Sequence, residues 1–494
     1  MIITILFPGS ASGHSAVLLA RSLAAAGWRV ETLCGPEESS LDGLDLLVQI
    51  ESLSQGGRRR ALPAEADARD QVSCANREAI TIDLCAGDGT GSPSTLRLVC
   101  NGHAGFSGLV SAVLSGGPIE VAIVRHAGEG GPAAVWARGV TVASQPSKFA
   151  LTLDEVCLRI ADLIHMALRR LHRGEDSLGD AGPATAARVA PGRYAGFAAG
   201  ALAGRIARRL DQIVRYPEHW SVRWRASAQA DLVTSRLAWP EARYETLADD
   251  AARYYADPFL FERGGRCYLF VEEFPYATGK AILSVSELGS GGAPDVPRPI
   301  LEGPCHLSYP QVFEHGGQVW MIPETSGART IELYRAVEFP HRWVREAVLI
   351  SGIDASDATI VRHEGRFWIF AALHAGHSSP RDMLGIFHAD ELAGPWQAHA
   401  ANPVLVDAAA ARPGGAFFQR GGALMRVAQD CTRCYGGGIT LARVDRLDPE
   451  HFQQEVVARL GPRPDWKSFG VHTLNRAGGF EVIDTVAGKW ISEA

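Results

Sequence analysis

A pattern of apolar and polar positions repeats about five times between Tyr255 and Thr485. Each copy is an extended apolar run, a glycine-containing turn and a second apolar or aromatic run. The copies read FLFERGGRCYLFVEE, VFEHGGQVWMIPET, IVRHEGRFWIFAA, FFQRGGALMRVAQD and LNRAGGFEVIDT. Their spacing is roughly 50 residues, the length of a four-stranded propeller blade. The pattern therefore predicts a five-bladed β-propeller.

The last glycine of each turn fixes the register of the copies. Eight residues before it, in the first strand of each copy, stand Asp257, Tyr309, Asp357, Gly414 and Val471, with His472 beside the last. Because the first strand of every blade faces the propeller axis, these positions are expected to converge at one mouth. Seven or eight residues after the glycine, three copies carry Glu272, Glu273, Glu324, Gln429 and Asp430. Acids are costly to bury in apolar strands, so both sets predict a functional site.

The amino-terminal region shows a different pattern. An apolar strand at residues 2–7 is followed by the loop PGSASGHS, the amphipathic helix AVLLARSLAAAG and a second strand, WRVETLC. This order predicts a Rossmann-like open parallel sheet. The loop lacks a Walker motif and a full dinucleotide fingerprint, so a tight turn is favoured over nucleotide binding. The polar residues 53–92 predict a loop or irregular insertion, and TLRLVCNG predicts the next strand.

A linker and a helix are expected between the two regions. Residues 173–195 are rich in Gly, Ala, Pro and charge, and a helical pattern that carries several arginines begins at Phe197. This helix could lie on an anionic membrane surface, although packing between the domains with solvated arginines is favoured. The predicted organisation is an α/β domain at 1–172, a linker and interdomain helix at 173–218, and an all-β propeller at 219–494.

Composition excludes several functional classes. The net charge of −7 gives no reason to expect nucleic acid as a partner. Nine dispersed cysteines favour a reducing compartment, and no segment reaches the roughly 20 apolar residues of a membrane span. A cytoplasmic protein without a cofactor follows as the expectation. The histidines lack metal-ligand spacing and the CxxC at Cys431 and Cys434 has no second pair, so no metal is predicted, although a lone cation at the axis stays open.

From Gly102 to Leu171 the sequence resembles the later half of the formyltransferase amino-terminal domain, which moves a formyl group from a folate carrier to an amine. The resembling segments include GFSGLVSAVLSGG, GVTVASQPS and LTLDEVCLRIADLIHMALRRL. That family works with an Asn, a His and an Asp. Here Asn101 and His103 lie near the expected place and Glu129 stands at an acidic position, but the Asp is absent. The resemblance favours a divergent, inactive domain over one that transfers formyl groups.

The repeat region resembles the propeller domain at the amino-terminal side of plant glucosamine inositolphosphorylceramide transferases. The resembling segments include YYADPFLF, HLSYPQVFEHGGQVWMIPE, DATIVRHEGRFWIF and YGGGITL. Similar domains occur in bacterial proteins behind a formyltransferase-like domain. In the plant enzymes the transferase chemistry is assigned to a separate carboxy-terminal domain, so this resemblance does not imply transfer to inositolphosphorylceramide.

A more distant resemblance is to the five-bladed propellers of glycoside hydrolase family 43. Those enzymes place a base Asp, an orienting Asp and an acid Glu around the axis, which implies Asp257, Asp357 and Glu324 in these roles. One carboxyl protonates the leaving oxygen while the other activates water or attacks the anomeric carbon. The sequence departs from that family at Tyr309, where the relatives often carry an Asp.

Other polar residues are expected at the same mouth. His306 and Tyr309 could bind sugar hydroxyls or fix the blade edge. Arg412 could hold a substrate carboxylate or phosphate, but neutralising Asp430 or Asp357 is slightly favoured. The predicted substrate-binding residues are Glu273, His306, Tyr309, Arg412, Gln429, Asp430, Tyr435 and His472.

Three functions follow as hypotheses. The favoured one is a carbohydrate-active enzyme, hydrolase or transferase, which predicts an acidic pocket and a carboxyl with a raised pKa. The second is a silent module that binds a glycan or glycolipid, in which the acids are paired with arginines. The third is formyl or acyl transfer by the first domain. The sugar, the linkage, the acceptor and the oligomeric state are not predicted.

Overall fold

The computed structural model describes residues 2–8, 13–35, 79–85, 94–126, 132–226, 232–289, 294–374 and 379–490, together with Leu41, Leu44, Leu47 and Val48. The chain divides into two compact units. The first extends to Arg208 and the second begins at Arg209, apart from a short segment around Ser379 that groups with the first.

In its described residues, the first unit contains an eight-stranded mixed sheet, three helices and most of a fourth, which continues into the second unit. Strands β2, β1, β3 and β4 are parallel neighbours, and β4 then pairs antiparallel with β6, which pairs with β7. The strands are β1 Ile2–Phe7, β2 Arg29–Cys34, β3 Ala79–Asp83, β4 Thr95–Cys100, β5 His103–Ala104, β6 Ile119–His126, β7 Ala133–Thr141 and β8 Thr185–Ala186. The helices are α1 Gly13–Ala25, α2 Gly105–Ser115 and α3 Phe149–His172. The relation of this unit to the formyltransferase fold stays a prediction.

Two segments of this unit differ from the sequence expectations. Strand β3 lies inside the region predicted as a loop, because the short run AITID alternates well enough to bury Ile82 fully between β1 and β4. The remainder of that predicted loop, residues 53–78 and 86–93, lies outside the described residues. In the segment predicted as a linker, Thr185–Ala186 pairs with His103–Ala104 and joins the sheet.

Asn101 and His103 take part in local structure. The side-chain oxygen of Asn101, whose φ is 48°, accepts a hydrogen bond of 2.8 Å from the amide of Glu120. Nδ1 of His103 lies 2.9 Å from Oγ1 of Thr185. Glu129 and most of the loop after β1 lie outside the described residues. The two residues that resemble the formyltransferase pair therefore fix a turn and a strand edge.

The second unit consists of five antiparallel sheets, which form the predicted five-bladed propeller. Blade 1 contains β11 Arg253–Arg263, β12 Arg266–Pro275, β13 Ile282–Leu288 and β14 Arg298–Leu301. Blade 2 contains β15 Ser308–His315, β16 Gln318–Glu324, β17 Thr330–Glu338 and β18 Arg342–Ser351. Blade 3 contains β19 Ala355–His363, β20 Arg366–Leu373, β21 Met383–Ala389, β22 Gln397–Ala398 and β23 Leu405–Val406. Blade 4 contains β24 Phe418–Arg420, β25 Ala423–Gln429, β26 Ile439–Leu447 and β27 Phe452–Leu460.

Blade 5 joins the two ends of the propeller sequence. Its strands β28 Leu474–Ala477 and β29 Phe480–Trp490 come from the end of the chain, whereas β9 Arg215–Ala226 and β10 Glu245–Thr246 precede blade 1. The long helix α4 Pro191–Val214 leads into β9, and the short helix α5 Val233–Arg236 follows it. Pairing of β29 with β9 closes the ring, because it joins strands from the two ends of the propeller sequence in one sheet.

Apolar side chains fill the spaces between the blades. Between blades 1 and 2, Phe270, Tyr309 and Met321 are fully buried and pack with Trp343. Between blades 2 and 3, the space is filled by the buried side chains of Ile322, Ile331, Ile360 and Ile369. Burial of one such side chain stabilises the folded state by about 1.5–3 kcal/mol. The stacked sheets are therefore held by a core that runs around the ring.

A buried carboxylate secures the closure of blade 5. Glu481 on β29 is fully buried and accepts hydrogen bonds of 3.0 and 2.9 Å from the guanidinium of Arg225 on β9. The same carboxylate accepts from the amide of Val233 at 2.8 Å and from the hydroxyl of Tyr244 at 2.5 Å. One side chain thus joins the last strand to three places before blade 1.

We expect Glu481→Ala to lower the free energy of unfolding of the propeller by about 3–5 kcal/mol, because it leaves the buried charge of Arg225 without this carboxylate. Urea denaturation of the full chain measures the change. Glu455→Ala is the matched control, since its pair with Arg443 is exposed to solvent and contributes little to stability. Equal losses from the two variants would contradict the role assigned to Glu481.

Candidate active site at the propeller axis

The first strands of three blades share a β-bulge at equivalent positions. The pairing shifts between Ala256 and Phe259 in blade 1, and the same shift recurs in blades 2 and 3. The bulged residues Asp257, Tyr309 and Asp357 have φ of 48°, 49° and 54°. Left-handed backbone is unfavourable for residues other than glycine, and it persists where the surrounding structure enforces it. These are the positions that the glycine register predicted to face the axis.

The amide of each bulged residue donates to a carboxylate of the preceding blade. The amide of Asp257 donates to Asp484 of blade 5 at 3.0 Å. That of Tyr309 donates to Asp257 at 3.2 Å, and that of Asp357 donates to Glu324 at 3.0 Å. A single motif therefore links blades 5, 1, 2 and 3 around the axis. The buried acids have a structural partner in every case.

His472 lies between two of these acids. Its Nδ1 is 2.7 Å from Asp484 and its Nε2 is 3.3 Å from Asp257, and its ring packs on Trp220 with centroids 4.0 Å apart. Burial opposes protonation, but Asp484 and Asp257 raise the pKa of His472 to about 9. Burial raises the pKa of Asp257 to about 7 against the attraction of His472. A cationic imidazolium thus neutralises part of the acidic cluster.

Asp357 is bound by groups from blade 4. Nε of Arg412 lies 2.7 Å from its Oδ2, and Nε2 of Gln429 lies 2.8 Å from the same oxygen. Burial still raises the pKa of Asp357 above its ordinary value, and Arg412 opposes this shift. Burial would raise the pKa of Glu324 as well, but Arg412 and hydrogen bonds from Asp357 and Ser326 lower it. Glu324 is therefore the ionised member of the pair.

A smaller set of groups reaches solvent at the mouth. Among the carboxylates of the cluster, Glu324 is half-buried, whereas Asp257 and Asp357 are only 5% and 2% exposed. Tyr435 is also half-buried, and the guanidinium of Arg412 lies 5.0 Å from the centre of its ring. His306 is exposed and lies 3.3 Å from Glu272. A ligand at this mouth would meet Glu324, Tyr435 and His306 first.

The structure brings together most of the predicted site residues. Asp257, Tyr309, Glu324, Asp357, Arg412, Gln429, Tyr435 and His472 form one connected cluster of contacts. His306 reaches the cluster through Glu272, whose charge raises the pKa of Asp257.

Two predicted residues lie in other surroundings. Glu273 points into blade 1, where Arg253 and the hydroxyl of Ser284 bind its carboxylate. Successive residues of a strand face opposite sides, so Glu272 faces the axis and Glu273 does not. Asp430 accepts hydrogen bonds from the amide and hydroxyl of Thr432 and fixes the turn after β25. Each of these two acids therefore stabilises its own blade through local contacts.

Asp484 and Trp220 were missed by the sequence reasoning. Asp484 is fully buried and accepts hydrogen bonds from the amides of Asp257, His472 and Thr473. The sequence does show this acid inside the apolar strand FEVIDT. It stands two residues before the seventh residue after the glycine turn, which is the position that carries the acids in the other copies. Trp220 comes from β9, which lies outside the sequence repeat. This strand becomes part of blade 5 only in the folded chain, where it pairs with β29.

Asp257, His472 and Asp484 could in principle hold a metal, since each offers an atom within 4.8 Å of the others. Both oxygens of Asp257 already accept hydrogen bonds, from Thr473 and from the amide of Tyr309. Nδ1 of His472 lies 2.7 Å from Asp484, at ion-pair distance but without hydrogen-bond geometry. The arrangement fits an imidazolium between two carboxylates.

A cavity of about 400 Å³ lies elsewhere in the propeller. It is lined by residues of blades 4 and 5 and of α5, including Phe417, Phe418, Arg476 and Phe480, and it reaches the hairpin turn of blade 5. Its walls contain none of the bulged residues. It is a separate feature from the axial cluster.

Comparison with known proteins identifies the family. The profile of the family described as "Glucosamine inositolphosphorylceramide transferase 1, N-terminal" matches residues 232–493, more than half of the chain. The chain belongs to this family. The match begins just before α5 and includes all of the axial cluster except Trp220. The predicted resemblance of the propeller is thereby confirmed.

Relatives that carry the name glucosamine inositolphosphorylceramide transferase 1 occur in plants. The protein of Arabidopsis thaliana is 34% identical over 210 residues, which cover 42% of this chain and 27% of the relative. The protein of Oryza sativa subsp. japonica is 30% identical over 265 residues, which cover 52% of this chain and 35% of the relative. The chain therefore spans about a third of the length of these relatives.

Among solved structures, Zg3597, a family 117 glycoside hydrolase of Zobellia galactanivorans, is 11% identical with a TM-score of 0.35. The likeness covers 54% of this chain and 90% of that protein. A score this low says nothing about the chemistry of this chain. In the described part of the chain, no helix is long and apolar enough to cross a membrane.

Replacing His472 tests the charge balance of the cluster. A pKa raised from 6.5 to about 9 by folding gives a stabilisation that is complete below about pH 6.5 and is lost as the pH rises through about 9. We therefore expect His472→Gln to be less stable than the wild type near pH 6, with a difference that narrows by up to about 3 kcal/mol toward pH 9. Chemical denaturation at several pH values measures it. A constant difference would contradict an imidazolium at this position.

Proposed function

We propose that the propeller is a carbohydrate-active enzyme whose site is the axial mouth, and that it acts on a glycan, a glycoside or a glycolipid head group. The observation that carries this proposal is a pair of acids whose pKa values are shifted in opposite directions. The pKa of Asp257 is raised and that of Glu324 is lowered, and the half-buried aromatic ring of Tyr435 belongs to the same cluster. The names of the plant relatives, which describe a sugar transferase, support the same substrate class.

Hydrolysis of a glycosidic bond by the usual mechanism uses two carboxyl groups in different protonation states. Asp257, with a pKa raised to about 7, is partly protonated near neutral pH, and its protonated form would donate to the leaving oxygen. Glu324 is ionised and would accept the proton of the attacking water or hydroxyl. These roles are the reverse of those implied by the family 43 resemblance. Asp357, held by Arg412 and Gln429, positions Glu324 through its amide.

The charge of the mouth bears on the choice of sugar. Five acids, Asp257, Glu272, Glu324, Asp357 and Asp484, face Arg412 and His472. An excess of acidic groups favours a neutral or cationic sugar over an anionic one. The name of the family contains glucosamine, whose amino group would suit these surroundings. We therefore propose an amino sugar as the first substrate class to test.

A second function is favoured by one specific observation. Asp357 forms a bidentate pair with Arg412, and both oxygens of Asp257 accept hydrogen bonds from neighbouring blades. Acids committed to structure in this way are expected in a module that binds a glycan or glycolipid without turnover. Under this alternative, Glu324, Tyr435 and His306 would contact the sugar and no bond would be cleaved.

Glu324→Gln distinguishes the two functions. For an enzyme, we expect turnover of an amino-sugar glycoside or a nucleotide-activated amino sugar to fall by roughly 10²–10⁴-fold, because the base that accepts the proton is removed. Turnover is measured as released or transferred sugar. Glu332→Gln is the matched control, since Glu332 is an acid of the same blade that is held by Thr330, Tyr334 and Arg345 away from the axis.

The outcomes separate the hypotheses. Loss of turnover in Glu324→Gln and retention in Glu332→Gln support catalysis at the mouth. A sugar that raises the melting temperature of the wild type without any turnover supports the binding module. Equal turnover in both variants and the wild type would remove Glu324 from the mechanism.

A further inference from the structure

Helix α4 exposes one entirely apolar face. Leu202, Ile206 and Leu210 recur at a spacing of four residues and are 56%, 54% and 62% exposed. At about 100° per residue they fall in one arc with the exposed alanines between them. Those alanines are Ala199, Ala203 and Ala207. The arc is about 140° wide and contains no charged residue.

The other face of the helix is already occupied. Tyr194 and Ala201 are 7% and 9% exposed, and the ring of Phe197 meets that of Phe149 on α3 edge to face with centroids 5.8 Å apart. Arg193 donates hydrogen bonds to Ser111 and Ser115 on α2. The helix is thus anchored on one side, and the apolar arc lies on the side that is not used for this packing.

Positive charge borders the apolar arc. The exposed Arg205 and Arg209 follow Leu202 and Ile206 by three residues, which places each arginine beside a residue of the arc. The helix carries four arginines and one acid, Asp211, which is rotated about 140° from Ile206. The chain as a whole carries a net charge of −7, so this positive edge is a local feature.

We propose that α4 is a membrane-surface helix, with its apolar arc inserted among the lipid chains near the headgroups of an anionic bilayer and its arginines bound to lipid phosphates. An exposed apolar face bordered by arginines is the pattern of helices that lie in the membrane interface. With four arginines and one aspartate along its 24 residues, this helix is not apolar enough to span a membrane. The proposal does not depend on the sugar chemistry of the propeller.

A second copy of the chain fits this surface less well. If two copies packed through this arc, Arg205 and Arg209 of both copies would lie at the interface between the helices. The arc contains no acid that could neutralise them. Lipid phosphates supply the negative charge that such a seam lacks.

Co-sedimentation of the full chain with vesicles tests the proposal. We expect binding to vesicles that contain about a third phosphatidylserine and at least tenfold weaker binding to pure phosphatidylcholine. The double variant Leu202→Ser, Ile206→Ser is expected to lose at least tenfold in affinity, since two buried side chains are removed from the interface. Val344→Ser, Val348→Ser on blade 2 is the matched control, because it removes the same number of exposed apolar side chains elsewhere.

A second variant separates charge from apolar contact. Arg205→Gln, Arg209→Gln is expected to weaken binding to anionic vesicles and to abolish the preference for them. Circular dichroism and the melting temperature show whether each variant is folded. The proposal is overturned if the wild type binds neither kind of vesicle or if the arc and control variants bind equally. It is also overturned if the arc variant changes only the oligomeric state seen by light scattering.

Discussion

The hydrogen bond from the amide of a left-handed bulge residue to a carboxylate of the preceding blade is the interaction on which the propeller axis depends. It occurs at Asp257, Tyr309 and Asp357, and its acceptors are Asp484, Asp257 and Glu324. An unfavourable backbone conformation needs enforcement from outside the strand, and the carboxylate supplies it. Asp257 donates through its backbone amide to Asp484 and accepts through its carboxylate from the amide of Tyr309, so this one residue takes part in the bonds at the bulges of both blade 1 and blade 2.

This arrangement explains why so many acids are buried together. Asp257, Asp484 and Glu324 accept from backbone amides or hydroxyls. Asp357 accepts from Arg412 and Gln429, and Arg412 and His472 supply positive charge, so the desolvation that disfavours buried carboxylates is partly offset. The same bonds limit the chemistry. Glu324 combines one bond to the next bulge with access to solvent, whereas Asp357 is enclosed by Arg412 and Gln429. Glu324 is therefore the acid of this set that both holds a bulge and is open to solvent, as the proposed catalysis requires.

Much of this could be predicted from the sequence because the glycine turns mark every blade. Counting back from them identified Asp257, Tyr309 and Asp357, since a bulge repeats with the blade. Counting forward could not separate Glu272 from Glu273, because the choice of face depends on the strand register, which the bulge changes. Asp484 and Trp220 were missed because blade 5 is assembled from both ends of the propeller sequence. Strand β3 was missed because its apolar run is short and stands in a polar region.

The central claim is that carbohydrate binds at the axial mouth. A crystal structure of the Glu324→Gln variant soaked with an amino-sugar glycoside tests it most directly. The account predicts sugar density within hydrogen-bond distance of residue 324, against the ring of Tyr435. Density confined to the cavity between blades 4 and 5, beside Phe417 and Phe480, would contradict it.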